Sequence, residues 1–412
     1  MSKIFSVAFY RNFYISTTKM EHLVALSFEH RIGNQVDGIY PPLPDKEYVK
    51  SWSQGLPFIG IPDKAHGSCS SFIHFTLPNP DHPTGQSYGI AAYRSFETSQ
   101  LKTQDPAYVR GHVQRSLLVI SKIPLFGELE SKLKQLLFDN FDNLVPSLET
   151  MWNQLQEVVA SPVRYSGISY PSLFQNLQTE VLTAVKALVL GHRILIFADN
   201  SELVSKMVTA IGSLLPGYMY NDDYPYKFFG TDYAFAPYVP LQFTEVLNHS
   251  KSHSKIMGTC SELFMDQKIV NYDLLIDCRK IPALITGGDI LKMCRPTSVE
   301  TKWMNDLLSE LKMNWQKAES AEWVRDMFKK WMNTLFFTIL STRHLSIVPE
   351  YIWPYLDWIK AYDVFGEQFV NELLKLDNTK QILREKDTSK FQKIDETLVP
   401  QKKITIKSLK FW

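Results

Sequence analysis

A base, a charge partner and a proton shuttle could all be supplied by GLPFIGIPDKAHG, residues 55–67 of the 412-residue chain. There Asp63, Lys64 and His66, which have those roles by type, fall within four positions. Side chains this close on a turn seldom share one substrate, and Pro followed by Asp is ordinary turn chemistry, so the stretch reads as a turn and not as a catalytic cluster. His249 and His253 stand at i and i+4 in HSKSH, half of a metal site if helical. The Ser and Lys neighbours make this a solvated loop with no third ligand nearby, and no metal is assigned.

The glycine-rich signatures of phosphate cradles, GxxxxGK[ST] and GxGxxG, do not occur, nor does a GxSxG elbow. TGGD at 286–289 reads as a tight turn. Cys69, Cys260, Cys278 and Cys294 are scattered without a CxxC pair. That spacing fits reduced core thiols in a cytosolic protein better than disulfides or zinc. Arg94, Arg110 and Arg115 lie in or beside predicted strands and read as solvated salt-bridge partners. Nothing in these groups calls for a cofactor or a small-molecule substrate.

The elements that must position these residues fall into three sections. HLVALSFEH (22–30), SFIHFTL (71–77), SYGIAAYR (87–94) and RSLLVISK (115–122) are short, apolar and bounded by turn formers, which predicts strands. GELESKLKQLLFDNF and PSLETMWNQLQEVV follow with helical spacing, so residues 20–160 form an α+β sheet-and-helix module. Residues 161–296 alternate helix and strand: LFQNLQTEVLTAVKALVL, RILIFAD, SELVSKMVTAIGSLLPG, KIMGTC and YDLLIDC. This predicts a parallel α/β sheet with Asn200 or Ser201 capping the helix after RILIFAD. From 297 to 395 apolar residues recur every three or four positions, a helical module, and 396–412 is a basic tail.

Forty-four basic residues against forty-three acidic ones leave +1, so no bulk field selects nucleic acid or anionic lipid. Arg11 and Asn12 interrupt the apolar opening, which argues against a secretory leader. VLTAVKALVLGHRILIFA carries Lys186, His192 and Arg193, too polar for a clean bilayer span. Any membrane contact is therefore expected to be peripheral.

Six segments in order, HLVALSFEHRIGNQVDGIYPPL, LPFIGIPDKAH, YGIAAYRSFE, VRGHVQRSLLVISKIPLFGELESKL, KALVLGHRILIFADN and IMGTCSELF, cover about residues 20–280. Together they resemble the Avl-type late-secretory transport proteins, a branch of the tripartite DENN superfamily. Lys64 stands where that family is expected to carry a smaller residue. The resemblance implies a longin-like first module, a central α/β DENN module and a helical third one. It also implies binding of a Rab-family small GTPase, with guanine-nucleotide exchange that needs no covalent chemistry, in the cytoplasm on Golgi, secretory-vesicle or endosomal membranes. The residues it places in the contact are Asp63, Lys64, His66, Tyr93, Arg94, Arg110 and Lys122, in a groove between the first two modules. Two other readings go with it: a scaffold that binds without exchange, and a GTPase activator. For the latter, VRGHVQR is similar to the folliculin-like segment that carries an arginine finger, which would be Arg110.

Overall fold

The computed structural model describes residues 19–62, 70–82, 85–100, 111–160, 170–217, 235–243, 256–313, 321–341, 361–385 and 395–398. The first section builds a five-stranded antiparallel sheet in the order β2-β1-β5-β4-β3. Its strands are β1 (Met20–Glu29), β2 (Gly33–Tyr40), β3 (Ser70–Pro78), β4 (Gln86–Glu97) and β5 (His112–Ser121). Side chains alternate across each strand, and helices cover both faces. Helix α1 (Glu47–Gly60) lies on one face, so close that a Cβ on Gly60 would stand 2.3 Å from Leu26 and 2.7 Å from Leu118. On the other face are α2 (Phe126–Asp139) and α3 (Leu148–Ala160). There a Cβ on Gly38 would meet Leu148 at 2.9 Å, so the missing side chain is what admits α3.

Two of these elements depart from the sequence expectation. GLPFIG is the end of a helix rather than the start of a turn, and Pro57 sits inside it. β2 was not anticipated because its residues are partly buried or, at Asp37, exposed, and include Asn34, Gln35, Asp37 and Gly38, with none of the apolar bias of a core strand.

The second section follows the predicted alternation: α4 (Tyr170–Leu177), α5 (Val181–Val189), β6 (Ile194–Phe197), α6 (Ser201–Ser213), β7 (Ile256–Thr259) and β8 (Leu274–Asp277). β6 pairs in parallel with both β7 and β8, and a short antiparallel β9 (Leu284–Thr286) closes the edge. TGGD joins β9 to α7 (Gly288–Cys294). Asn200 is the cap of α6, its side-chain oxygen accepting from the Leu203 amide at 2.9 Å. Asn200→Ala is expected to lower stability by about 1 kcal/mol, read as a shifted urea midpoint with unchanged slope.

Helix α6 also ties the two sheets together. β3 is an edge strand, and an open edge invites unwanted pairing. Here side chains of α6 fill it: the Phe72 amide donates to Glu202 at 3.1 Å and the His74 amide to Ser205 at 3.2 Å. Next along the strand, the Thr76 hydroxyl donates to the Phe235 carbonyl.

The third section contains α8 (Ser298–Met313), α9 (Ala321–Ser341), a helical stretch at 361–365, α10 (Glu367–Lys375) and α11 (Asp377–Glu385). It is fastened to the second through Lys186. Every residue of α5 is buried. The Lys186 ammonium donates to Glu300 at 2.8 Å and to the Phe365 carbonyl at 2.7 Å, and lies 4.6 Å from the Phe369 ring. Glu300 also closes a capping box on α8, accepting from the Thr297 amide while its own amide donates to the Thr297 hydroxyl. Cys260, Cys278 and Cys294 are buried and free, and burial pushes the last two thiols up to about 12. Cys69 lies outside the described residues.

Candidate functional site

Strand register, invisible in the sequence, brings two arginines together. Arg94 on β4 stands directly opposite Arg115 on β5, which in turn faces Ser27 on β1. Like charges so placed repel. Stacking offsets the repulsion: the Arg94 guanidinium lies 4.3 Å from the Phe96 ring and 4.8 Å from Phe138, and Arg115 lies 5.4 Å from Phe141 and donates to its carbonyl. Such contacts are each worth about 0.5–1 kcal/mol at exposed sites. Among the described residues no carboxylate pairs with Arg94, and Phe138 beside it is 54% exposed. A guanidinium lying over two rings with no carboxylate partner among the described residues, next to an exposed aromatic, is the makeup of a protein-interface anchor.

This end of the sheet runs on into the junction with α6. Ser70 pairs with Arg94, and Phe72, two residues further along β3, carries Lys206 5.6 Å over its ring. Lys206 bridges Glu202 at 2.7 Å and Glu130 at 3.0 Å. Partial burial acts to lower its ammonium pKa, but the two carboxylates more than offset this and raise it. Glu130 and Phe138 lie on one helix, eight residues and so about 12 Å apart. The rim and the arginine end therefore form one continuous strip.

Beneath the rim the junction is packed solid. His74 stacks on Phe126 at 4.3 Å and pairs with the Thr209 hydroxyl at 3.1 Å. Burial, helped by the nearby Lys206 charge, pushes this imidazole down to about 3. A partner can therefore reach the rim of the junction but not its interior.

Of the seven residues singled out in the sequence, Arg94 belongs to the strip. Asp63, Lys64, His66 and Arg110 lie outside the described residues; the described residues that follow them in sequence, Ser70 opposite Arg94 and Gly111 just before β5, stand at the same end of the sheet. Tyr93 points to the other face and is 1% exposed. Lys122 sits at the far end of β5, its amide donating to the Lys19 carbonyl. The sequence reading passed over Phe138, Glu202 and Lys206; their signal was only a helical apolar face, and the contacts span 76 residues from Lys206 to Glu130 and 130 from Glu202 to Phe72. His249 and His253 also lie outside the described residues, among which no cluster of metal-ligating side chains occurs.

In open α/β sheets ligands bind at the carboxyl ends of the parallel strands. That place here is held by a self-paired cluster. Arg279 binds Asp277 at 2.6 Å and Glu262 at 3.5 Å and lies 4.8 Å from the Phe197 ring. The Arg279 guanidinium holds the Asp277 carboxyl below its ordinary range.

Comparison with known proteins bears on what the strip is for. A family model described as "Transport protein Avl9" matches residues 20–224 and 223–339. The chain is 25% identical over 406 residues to the late secretory pathway protein avl9 of Schizosaccharomyces pombe, spanning 86% of this chain and 84% of that protein. It is 19% identical over 401 residues to the late secretory pathway protein AVL9 of Saccharomyces cerevisiae, spanning 79% of this chain and 52% of that one.

Proposed function

Because the chain belongs to the Avl9 family of transport proteins, we propose that it serves late secretory or endosomal vesicle transport as a DENN-type exchange factor for a Rab-like small GTPase. The order β2-β1-β5-β4-β3, with α1 on one face and α2 and α3 on the other, supports a longin-like reading of residues 20–160. The parallel sheet of 161–296 supports the central DENN module, and the helices of 297–395 the third. No helix among the described residues is long and apolar enough to cross a membrane, so association with membranes is read as peripheral.

The observation that carries the proposal is Arg94, which lies over Phe96 and Phe138 and has no carboxylate partner among the described residues. In this reading the GTPase lies along the strip from Arg94 to Lys206 and answers Arg94 with an acidic side chain. The same reading counts Asp63, Lys64, His66 and Arg110 among the residues that meet the GTPase. Exchange then follows from differential binding. A surface that fits the nucleotide-free switch segments better than the loaded ones draws them from magnesium and phosphate, and GDP leaves.

Arg94→Glu is expected to weaken binding of the nucleotide-free GTPase by about tenfold or more without moving the melting temperature. Titration calorimetry against the nucleotide-free and GTP-loaded forms checks it. Tighter binding of the GTP-loaded form would make the protein a scaffold or effector. Stimulated hydrolysis lost in Arg110→Ala with binding spared would make it an activator.

A further inference from the structure

Arg94, Phe96 and Phe138 belong to the first section of the chain and Glu202 and Lys206 to the second, so the strip is continuous only while the two sections keep one arrangement. The polar bonds across the edge of β3 run along a single line. The Phe72 amide meets Glu202 at 3.1 Å, the His74 amide meets Ser205 at 3.2 Å and the Thr76 hydroxyl meets the Phe235 carbonyl at 2.7 Å. Bonds strung along one strand resist sliding better than they resist rotation about that strand.

Glu130 stands off the line. Its helix, α2, lies on the face of the sheet next to α6, since His74 stacks on Phe126 of the one and pairs with Thr209 of the other. The Glu130 carboxylate meets the Lys206 ammonium at 3.0 Å, the one ion pair between the two sections among the described residues. Lys206 also donates to Glu202 Oε1 at 2.7 Å, while Glu202 Oε2 takes the Phe72 amide. The same ammonium therefore steadies the acceptor that covers the strand edge. The side chains of Lys206 and Glu130 are 25% and 29% exposed, so water can take over from either partner when the bridge parts. Beneath them Nε2 of His74 is buried without a hydrogen-bond partner, a group that gains one from water when α6 and α2 separate.

We infer that Lys206 is a positioning residue and that its bridge to Glu130 is a clasp. Closed, it sets α6 against α2 and keeps the strip whole. Open, it lets the second section turn about β3 and carries Glu202 and Lys206 away from Arg94. This role rests on the reading that a GTPase lies along the strip; by reciprocity, a partner that binds the closed form holds the clasp shut.

The edge amides report the clasp without any partner. Successive amides of an antiparallel strand point alternately toward the neighbour and away. Ile73 and Phe75, opposite Ala91 and Gly89, thus donate into the ladder with β4, while Phe72 and His74 depend on α6. In hydrogen exchange of the full chain followed by NMR, Lys206→Met and Glu130→Ala should each speed Phe72 and His74 by about fivefold, with Ile73 and Phe75 unchanged. Both variants should weaken binding of the nucleotide-free GTPase, and bound GTPase should slow the same two amides in the parent chain. The charge swap Glu130→Lys/Lys206→Glu should restore exchange rates and binding together, which a lysine touching the partner directly would not allow. Edge amides at the parent rate in both single variants, or sped up equally with Ile73 and Phe75, would overturn the clasp. Fast edge amides with undiminished GTPase binding would overturn the positioning role. The clasp effects present in a parent chain that binds no GTPase would keep the clasp and remove the GTPase reading.

Discussion

Glu300→Ala is expected to remove about 3–5 kcal/mol of folding stability, the range for breaking one side of a buried ion pair. Both partners are fully buried, and the substitution leaves the Lys186 ammonium in the core with only the Phe365 and Arg295 carbonyls to accept from it. It also opens the capping box on α8, worth about a further 1 kcal/mol. Burial pushes the Glu300 carboxyl upward, against the opposing pull of Lys186, the Thr297 amide and Trp331. The pair is thus maintained against its own desolvation, and replacing both partners with apolar residues should cost far less than removing one. Urea unfolding of Glu300→Ala, Lys186→Met and the double variant Lys186→Met/Glu300→Leu separates these cases. A loss below about 1 kcal/mol in Glu300→Ala would mean that the third section is not held by this contact.

His74 supplies the second large effect, this time through pH. Its imidazole has an ordinary value near 6.5 and is pushed to about 3 in the folded protein. The unfolded chain therefore takes up a proton below pH 6.5 that the folded protein refuses until about pH 3. Above the unfolded value nothing is lost. Below it, stability falls by about 1.4 kcal/mol per pH unit, which comes to about 2 kcal/mol at pH 5. Burial also lowers His22 and His82, in the same direction, so some slope remains without His74. His74→Phe keeps the stack on Phe126, and Thr209 keeps its bond to the Ser205 carbonyl. The variant should lose less stability than the parent between pH 7 and pH 5 in urea unfolding; an unchanged slope would show that the proton is taken up elsewhere.

Much of the fold is legible in the sequence because most elements announce themselves by period. β1, β3, β4 and β5 and the β6 to β8 core are apolar runs, and α2, α3, α6, α8 and α9 carry regular stripes. β2 and β9 are missed because they lie half-buried or exposed at sheet edges and carry little apolar bias, whereas the edge strands β3 and β7 are buried and keep apolar runs. α1 hides behind Pro57 and two glycines. Lys186 looked like an interruption of an apolar run. Its partner is 114 residues away, and nothing local announces a buried pair. The site is legible only in part. Arg94 stands out by its type, but its pairing with Arg115, its seat on Phe138 and the bridge from Lys206 to Glu130 are matters of register and packing, which single-residue spacing does not encode.

The proposed function turns most directly on the release of fluorescent GDP from a panel of Rab-family GTPases, each mixed with the purified chain and excess unlabelled nucleotide. Acceleration on one or two members is expected, and Arg94→Glu should abolish it while leaving the melting temperature unchanged. No acceleration on any member, with binding still detected by calorimetry, would rule out exchange and leave recruitment without exchange as the function of the strip.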